Sequence, residues 1–113
     1  MKILARLMLV AALLSVLAGC GRQTETNKDT VTIAVIPKGT MHEFWKSVHA
    51  GAVKASKELD VEVIWKGPTK EDDREAQVAV VEDMITKGVS AIALAPLDDA
   101  ALRTPVANAT RTG

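Results

Sequence analysis

Residues 31–45 read VTIAVIPKGTMHEFW, and the fold of the chain can be worked outward from them. Val31 to Ile36 are apolar and mostly β-branched, which is typical of a strand buried on both faces of a parallel sheet. Pro37 ends that strand because it has no N–H to donate. A short polar turn then leads directly into a helical pattern. Strand, turn and helix in this order form the half-unit beyond which open α/β sheets place their ligand sites.

The same alternation continues along the chain. Strands are predicted at 31–36, 61–65 and 91–95, and a helical pattern follows each of them. This βαβαβα order predicts an α/β fold with a parallel sheet and right-handed crossovers. The first helix is predicted over 41–59, because apolar side chains recur there every three or four residues. Its apolar stripe is predicted to comprise Phe44, Trp45, Val48, Ala52, Ala55 and Leu59.

The ends of the second and third helices are predicted from their capping residues. Gly67-Pro68 ends the second strand, and Thr69 is predicted as the next N-cap. The acidic cluster 71–73 would then occupy the first turn, and Gly88 would form a left-handed C-cap. The third helix is predicted to have Thr104 as N-cap and Pro105 at its first position. The buried face of the second helix is predicted to comprise Val78, Val81, Met84 and Ile85.

Residues 1–19 have the pattern of an export signal. A positively charged start precedes the apolar run 7–18, which is too short to cross a bilayer. The run ends in Leu17-Ala18-Gly19-Cys20, which resembles the lipobox of a bacterial lipoprotein signal. The resemblance implies cleavage before Cys20 and lipidation of its thiol; the alternative is an ordinary signal peptide that ends beside a cysteine. Residues 20–30 are polar and are predicted to be a flexible tether, followed by a domain over 31–113.

Composition argues against several classes of function. Without the signal, twelve Lys and Arg stand against fourteen Asp and Glu, so we expect no nucleic-acid partner, which would need a basic face. No nucleophile motif, phosphate loop or dinucleotide fingerprint is present, so no enzyme and no cofactor are predicted. His42 and His49 lie two helical turns apart, which does not fit a zinc site. The acidic cluster 71–73 is explained by the helix terminus, and no metal site is predicted.

Three loops are predicted to meet at the carboxyl edge of the sheet, at 37–43, 67–71 and 95–99. Charged and aromatic side chains together suit a polyhydroxy ligand, since apolar sugar faces stack on aromatic rings and charged groups bind hydroxyls. Two alternatives stay open. The aromatic pair could anchor the first helix in the core, and Asp98 could be a turn residue. The candidate ligand-binding residues are Lys38, His42, Phe44, Trp45 and Asp98.

Three stretches together resemble the start of a type I periplasmic binding protein. They are residues 31–59, the Gly67-Pro68 pair and VSAIALAPLDDAAL at 89–102. Such proteins are the sugar-binding components of ABC importers of the ribose-binding kind. The resemblance implies ligand contacts at Phe44 and Trp45, with His42 where sugar binders often carry Asn. Lys38, followed later by Gly67-Pro68-Thr69, is more similar to the subgroup that binds rhamnose or autoinducer-2.

The resemblance also implies a setting for the chain. Members of the family have two α/β domains joined by a hinge, and they deliver ligand to an ABC transporter permease. The chain would supply the first three strands of the first domain, so we interpret it as an N-terminal fragment. Export to the cell envelope and a lipid anchor on Cys20 follow from the signal. Repressors of the LacI type share the fold but begin with a DNA-binding helix-turn-helix, which residues 1–30 do not match. The alternative function is a small surface lipoprotein whose α/β module binds another protein.

Overall fold

The computed structural model describes residues 30–113. The predictions for the signal peptide, for Cys20 and for the tether up to residue 29 therefore lie outside the described residues. Strands and helices alternate in the described part, in the order β1 Thr32–Ile36, α1 Glu43–Leu59, β2 Glu62–Trp65, α2 Arg74–Lys87, β3 Ala91–Leu94 and α3 Arg103–Thr112. Between residues 30 and 113, no helix is long and apolar enough to cross a membrane.

The three strands form one parallel sheet in the order β2-β1-β3. Val35 of the central strand lies level with Trp65 of β2 and with Ala93 of β3. The predicted α/β class with a parallel sheet is therefore confirmed. The predicted strand ends agree with the structure to within one residue, because a run of β-branched residues closed by Pro37 is a strong local signal.

The core lies on one face of this sheet. Because side chains alternate along a strand, Ala34 and Ile36 face one way and Val35 faces the other. Helices α2 and α3 cover the first face, where the side chains are at most 2% exposed at Ala34, Ile36, Val81, Met84 and Leu102. Helix α1 lies over the second face, against β2, and none of its residues is fully buried.

The predicted stripe of α1 is only partly correct. Trp45, Val48 and Ala52 are half-buried, but Phe44, Ala55 and Leu59 are exposed. A helix of 17 residues is about 25 Å long, whereas a five-residue strand spans about 17 Å, so α1 cannot lie over the sheet along its whole length. Leu59 in the last turn is 68% exposed.

The start of α2 differs from its prediction. Its N-cap is Asp73, whose carboxylate accepts a hydrogen bond from the Ala76 N–H at 2.9 Å, so Thr69 is not the cap. Residues 71 and 72 consequently belong to the preceding loop. The buried face includes Val81 and Met84 as predicted, and also Gln77 and Val80, which were not predicted. Val78 and Ile85 are half-buried.

Two further helix ends test the capping rules. Gly88 ends α2 with φ of 67°, as predicted, and its N–H bonds back to Ile85 and Met84. Helix α3 begins at Arg103, so the prediction of Thr104 as N-cap and Pro105 as first residue is wrong. The turn before α3 is held by Asp98, which allows the helix to start earlier. Pro105 still lies in the first turn, where a missing N–H costs nothing.

Candidate ligand-binding site at the carboxyl edge of the sheet

Three loops leave the carboxyl ends of the strands, and we name them loop 1 (residues 37–42), loop 2 (66–73) and loop 3 (95–102). Loop 1 leads from β1 to α1, on the lightly packed face of the sheet. Loop 3 leads from β3 to α3, on the core face. Because β1 and β3 are neighbours whose loops turn to opposite faces, a crevice opens between them. Such a switch point is where open α/β sheets bind ligands.

Glycines bring loops 1 and 2 into close contact. A Cβ atom at Gly67 would lie 2.8 Å from the ring of Pro37 and 3.0 Å from its carbonyl oxygen. A Cβ atom at Gly39 would lie 2.8 Å from Cγ of Glu71. At Gly67 no larger residue fits without moving Pro37, and at Gly39 a Cβ atom would require Glu71 to shift. The Gly67-Pro68 pair therefore does more than end β2, because it seats loop 2 on loop 1.

The first turn of α1 presents the aromatic pair. His42 is the N-cap, and its Nδ1 accepts a hydrogen bond from the Phe44 N–H at 3.2 Å. Because Nδ1 is the acceptor, the ring N–H of the neutral imidazole is on Nε2. Phe44 is 59% exposed and meets Trp45 edge to face at 4.9 Å. The indole Nε1 of Trp45 donates to Glu71 Oε1 at 2.8 Å, which fixes that ring against loop 2.

Asp98 has a structural role in loop 3. Its Oδ1 accepts hydrogen bonds from the N–H groups of Ala100 and Ala101 at 2.9 and 2.7 Å. Its Oδ2 accepts from Arg74 Nη1 at 3.2 Å. The Ala101 N–H, joined by those of Ala100 and Arg74, holds the pKa of Asp98 below its ordinary value, against a smaller opposing effect of desolvation. Asp98 is thus a turn residue in the structure, and its contact with a ligand stays a prediction.

Lys38 lies in loop 1, directly after Pro37. It is half-buried, whereas the other lysines between residues 30 and 113 are exposed. Its ammonium group makes no ion pair or hydrogen bond with any residue of that range. A cation that has lost part of its water and has no protein acceptor is placed to bind an acceptor from outside.

Sequence reasoning missed Gln77, a residue of α2 whose side chain links loops 1 and 3 through hydrogen bonds. Its Nε2 donates to the carbonyl oxygens of Pro37 and Ala95 at 3.0 and 2.9 Å. Its Oε1 accepts from the Leu97 N–H at 2.8 Å. The one available signal was its spacing, four residues before Val81 and seven before Met84, which puts a polar side chain on the buried stripe of α2.

An open apolar depression continues from the site along the lightly packed face. Its volume is ≈ 340 Å³, and Trp45 and Trp65 form part of its wall together with Val35 and Ala93. Near it, the imidazole of His49 stacks on Trp65 at 4.6 Å. No three His, Cys, Asp or Glu side chains lie close enough to hold a metal ion anywhere in residues 30–113. The edge therefore offers a half-buried, unpartnered cation at Lys38, aromatic surface and backbone groups, a set that suits an uncharged polyhydroxy ligand.

The fold and the site define a class. Residues 33–113 match the periplasmic binding protein domain family, and the chain belongs to that family. This identifies the solute-binding class that the sequence resembled, and the sheet with its switch-point crevice is consistent with it.

Individual relatives point to sugars. The chain is 36% identical over 72 residues to a D-ribose/D-allose-binding protein of Pseudomonas aeruginosa, covering 62% of this chain and 23% of that protein. A carbohydrate transporter solute binding protein from Agrobacterium radiobacter, in complex with D-arabinose, matches with a TM-score of 0.72 and 35% identity, over 75% of this chain and 29% of the other. LsrB from Clostridium saccharobutylicum, in complex with AI-2, matches with a TM-score of 0.70 and 30% identity, over 74% and 25%. The chain thus spans about a quarter of the length of these relatives.

Proposed function

We propose that the chain is part of the solute-binding component of an ABC import system and that its ligand is a sugar or a sugar-like molecule. The observation that carries the proposal is the presence of a half-buried, unpartnered lysine, Lys38, in loop 1, which leads to the exposed ring of Phe44 in the first turn of α1. A pyranose or furanose matches this pair, since its C–H face stacks on an aromatic ring and its hydroxyls accept from an ammonium group. The ligands of the three relatives above support the same chemistry.

We assign distinct roles to the five candidate residues. Phe44 supplies the stacking surface, and Trp45 supports it while bonded to Glu71. Lys38 donates to ligand hydroxyls. His42 has Nε2 available for a further hydroxyl, because its Nδ1 is engaged in capping α1. Asp98 contributes through the shape of loop 3, and its Oδ2 is the atom that a ligand would share with Arg74.

The proposed role is binding and delivery, with no chemical step. Lys38 and the exposed aromatic ring can hold a ligand but provide no nucleophile and general base within reach of one another. The partner that follows from such a role is a transporter permease in the membrane, and the setting is the periplasm or cell envelope.

Binding by the 113-residue chain alone should be weak. His42 and Phe44 are exposed, and Lys38 and Asp98 are only half-buried, so these residues cannot exclude water from a ligand. We therefore expect dissociation constants in the millimolar range, near −4 kcal/mol. Amide spectra of the ¹⁵N-labelled chain, recorded with D-ribose, D-allose, D-arabinose and L-rhamnose, should show shifts that begin at loops 1 and 3.

Lys38→Met tests the proposed cation against a matched control. Lys57→Met, at an exposed and unpaired lysine of α1, removes the same charge far from the crevice. Sugar-induced shifts should weaken severalfold in the first variant and persist in the second. If no sugar in the panel shifts loop 1 or loop 3, the sugar-binding proposal is wrong for this chain. Specific binding of another protein in that case would favour the interaction-module alternative.

A lipid anchor on Cys20 completes the proposed setting. The support is the lipobox-like Leu17-Ala18-Gly19-Cys20 sequence and the lack of a second cysteine in the chain. The expressed protein should incorporate a palmitate analogue and fractionate with membranes, whereas Cys20→Ser should be unlabelled and released. Equal labelling of both forms would refute the anchor.

A further inference from the structure

Gln77 is the one fully buried polar side chain among residues 30–113, with 0% of its surface exposed. Burial of an amide without partners is costly, so its position calls for a physical reason. The buried residues of the same helix, Val80, Val81 and Met84, are otherwise apolar and belong to the core. An apolar residue would suit that helix face equally well if packing were its whole role.

The reason lies where the sheet ends. The last backbone hydrogen bond between β1 and β3 runs from the Ala95 N–H to the Ile36 carbonyl at 3.0 Å. In the register of this parallel pair the next donor would be the Lys38 N–H to the Ala95 carbonyl, but that backbone bond is not formed and the ladder stops. Beyond this point loops 1 and 3 turn to opposite faces of the sheet. The Gln77 amide bridges them there, since it bonds the carbonyls of Pro37 and Ala95 and the Leu97 N–H.

The three bonds require an amide in one orientation. Both hydrogens of Nε2 are used by two carbonyl oxygens, and Oε1 is used by an N–H group. A flipped amide would place Oε1 of Gln77 against the carbonyl oxygens of Pro37 and Ala95, which repel it. A carboxylate would also face two carbonyl oxygens, and an apolar side chain would leave all three backbone groups without their partner.

We propose that Gln77 is the positioning residue of the binding site, and this rests on the proposed function of the crevice. By holding Pro37 and Leu97 at a fixed separation, it sets the distance between Lys38, which follows Pro37, and Asp98, which follows Leu97. Gln77 touches no ligand and acts through these two neighbours. Its loss leaves the α/β fold in place but lets the two loops move independently.

The first test measures the amide bridge itself by native-state hydrogen exchange. Gln77→Met keeps the volume and removes the polar atoms. The Leu97 amide, bonded to Gln77, is compared with the Ser90 amide, which bonds to the Thr32 carbonyl at the opposite end of the sheet. The Leu97 rate should rise about tenfold relative to Ser90, the factor expected for losing one net hydrogen bond.

Val81→Ala is the matched control, because Val81 is buried in the core on the same helix and its side chain has no polar atom that could bond the loops. It should speed both amides in equal proportion. A Leu97-to-Ser90 ratio that changes no more in Gln77→Met than in Val81→Ala overturns the proposal.

Gln77→Glu provides a second variant if the methionine variant does not fold. Burial beside two carbonyl oxygens raises the pKa of a carboxyl group introduced there. At acidic pH the protonated group can donate to one carbonyl and accept from Leu97, so the rate ratio should return toward the wild-type value. At neutral pH the charged form should loosen the loop. A ratio independent of pH argues against the bridge.

Sugar titration separates this proposal from the proposed function. If the wild-type chain binds a sugar of the panel, Gln77→Met should weaken that binding at least tenfold in its folded fraction, and Val81→Ala should not. Unchanged binding in Gln77→Met overturns the positioning role. If the wild type binds none of the sugars, the proposed function fails, and the exchange ratio alone decides whether Gln77 fixes the two loops.

Discussion

The two faces of the sheet are held by different kinds of contact. On the α2–α3 face, Ile36, Met84 and Leu102 are almost completely removed from water and form one core. On the α1 face, contact is made by half-buried side chains such as Trp45 and Val48, and by the stack of His49 on Trp65. Apolar burial is the main source of stability, so the first face stabilises the fold.

The difference shows how stability and the candidate site are divided. The aromatic pair belongs to the face that contributes least to the core, and the Phe44 ring remains exposed. Loops 1 and 2 are fixed by close contacts and hydrogen bonds instead of by a core. Substitutions on α1 should therefore change binding more than stability. Substitutions in the core under α2 should change stability more than binding.

The strongest test of this division is Met84→Ala. Met84 is fully buried, so the cavity should lower the free energy of unfolding by about 2–5 kcal/mol, a large part of what a small domain has. Val48→Ala on the opposite face should cost about 1 kcal/mol or less, because Val48 is already half-exposed. Urea denaturation measures both. Similar losses in the two variants would mean that the faces contribute equally.

Gly67→Ala tests the contact between loops 1 and 2, where the two faces meet. The added methyl group would lie 2.8 Å from the Pro37 ring, which cannot rotate away, so the cost should be about 1–3 kcal/mol. Gly51→Ala is the control, since its Cβ has open space and lies within α1. That variant should be stabilised by about 0.5–1 kcal/mol. A neutral result at Gly67 would mean that loop 2 moves freely.

Trp45→Ala tests whether the aromatic pair serves the site or only the helix. Sugar binding should weaken by about 1–3 kcal/mol, the scale of a lost aromatic contact. Val53→Ala, at an exposed position of the same helix, should leave binding unchanged. A melting temperature that falls while binding by the folded fraction is retained would make Trp45 a packing residue.

The smallest effect is expected from the turn in loop 3, as a dependence on pH. Because the folded pKa of Asp98 is lowered, its contribution to stability is present above the unfolded value near 3.9 and is lost as pH falls through the folded value. Asp98→Asn should therefore lose less stability than the wild type below about pH 4. Asp99→Asn, whose side chain is 96% exposed, should behave like the wild type. Acid denaturation curves that coincide for all three proteins would contradict this role of Asp98.

Features with strong local signals were predictable from the sequence. The strands, the parallel order and the Gly88 cap follow from β-branched runs, regular alternation and a glycine after a last turn that contains Lys87. The three-loop edge follows from the same topology. The residues that lie on it could therefore be named before any distance between them was known.

Two kinds of feature were not predictable. One is the choice between two competing capping residues, and the other is a hydrogen bond to a residue far away in the sequence. Thr69 and Asp73 are both good caps, and the choice between them depends on how loop 2 packs on Pro37. The sequence predicts His42 as a ligand contact, whereas its capping of α1 has no strong sequence signature. The partners of Gln77 are 18 to 40 residues away, so no local pattern could predict them.

The stack of His49 on Trp65, nearly parallel at 13°, also has an optical consequence. The chain contains two tryptophans, so its ultraviolet-excited emission is the sum of Trp45 and Trp65. An imidazole lying on an indole face quenches the indole. We therefore expect Trp65 to be the darker emitter, and the intrinsic fluorescence to come mainly from Trp45, the indole that stands beside the proposed sugar site.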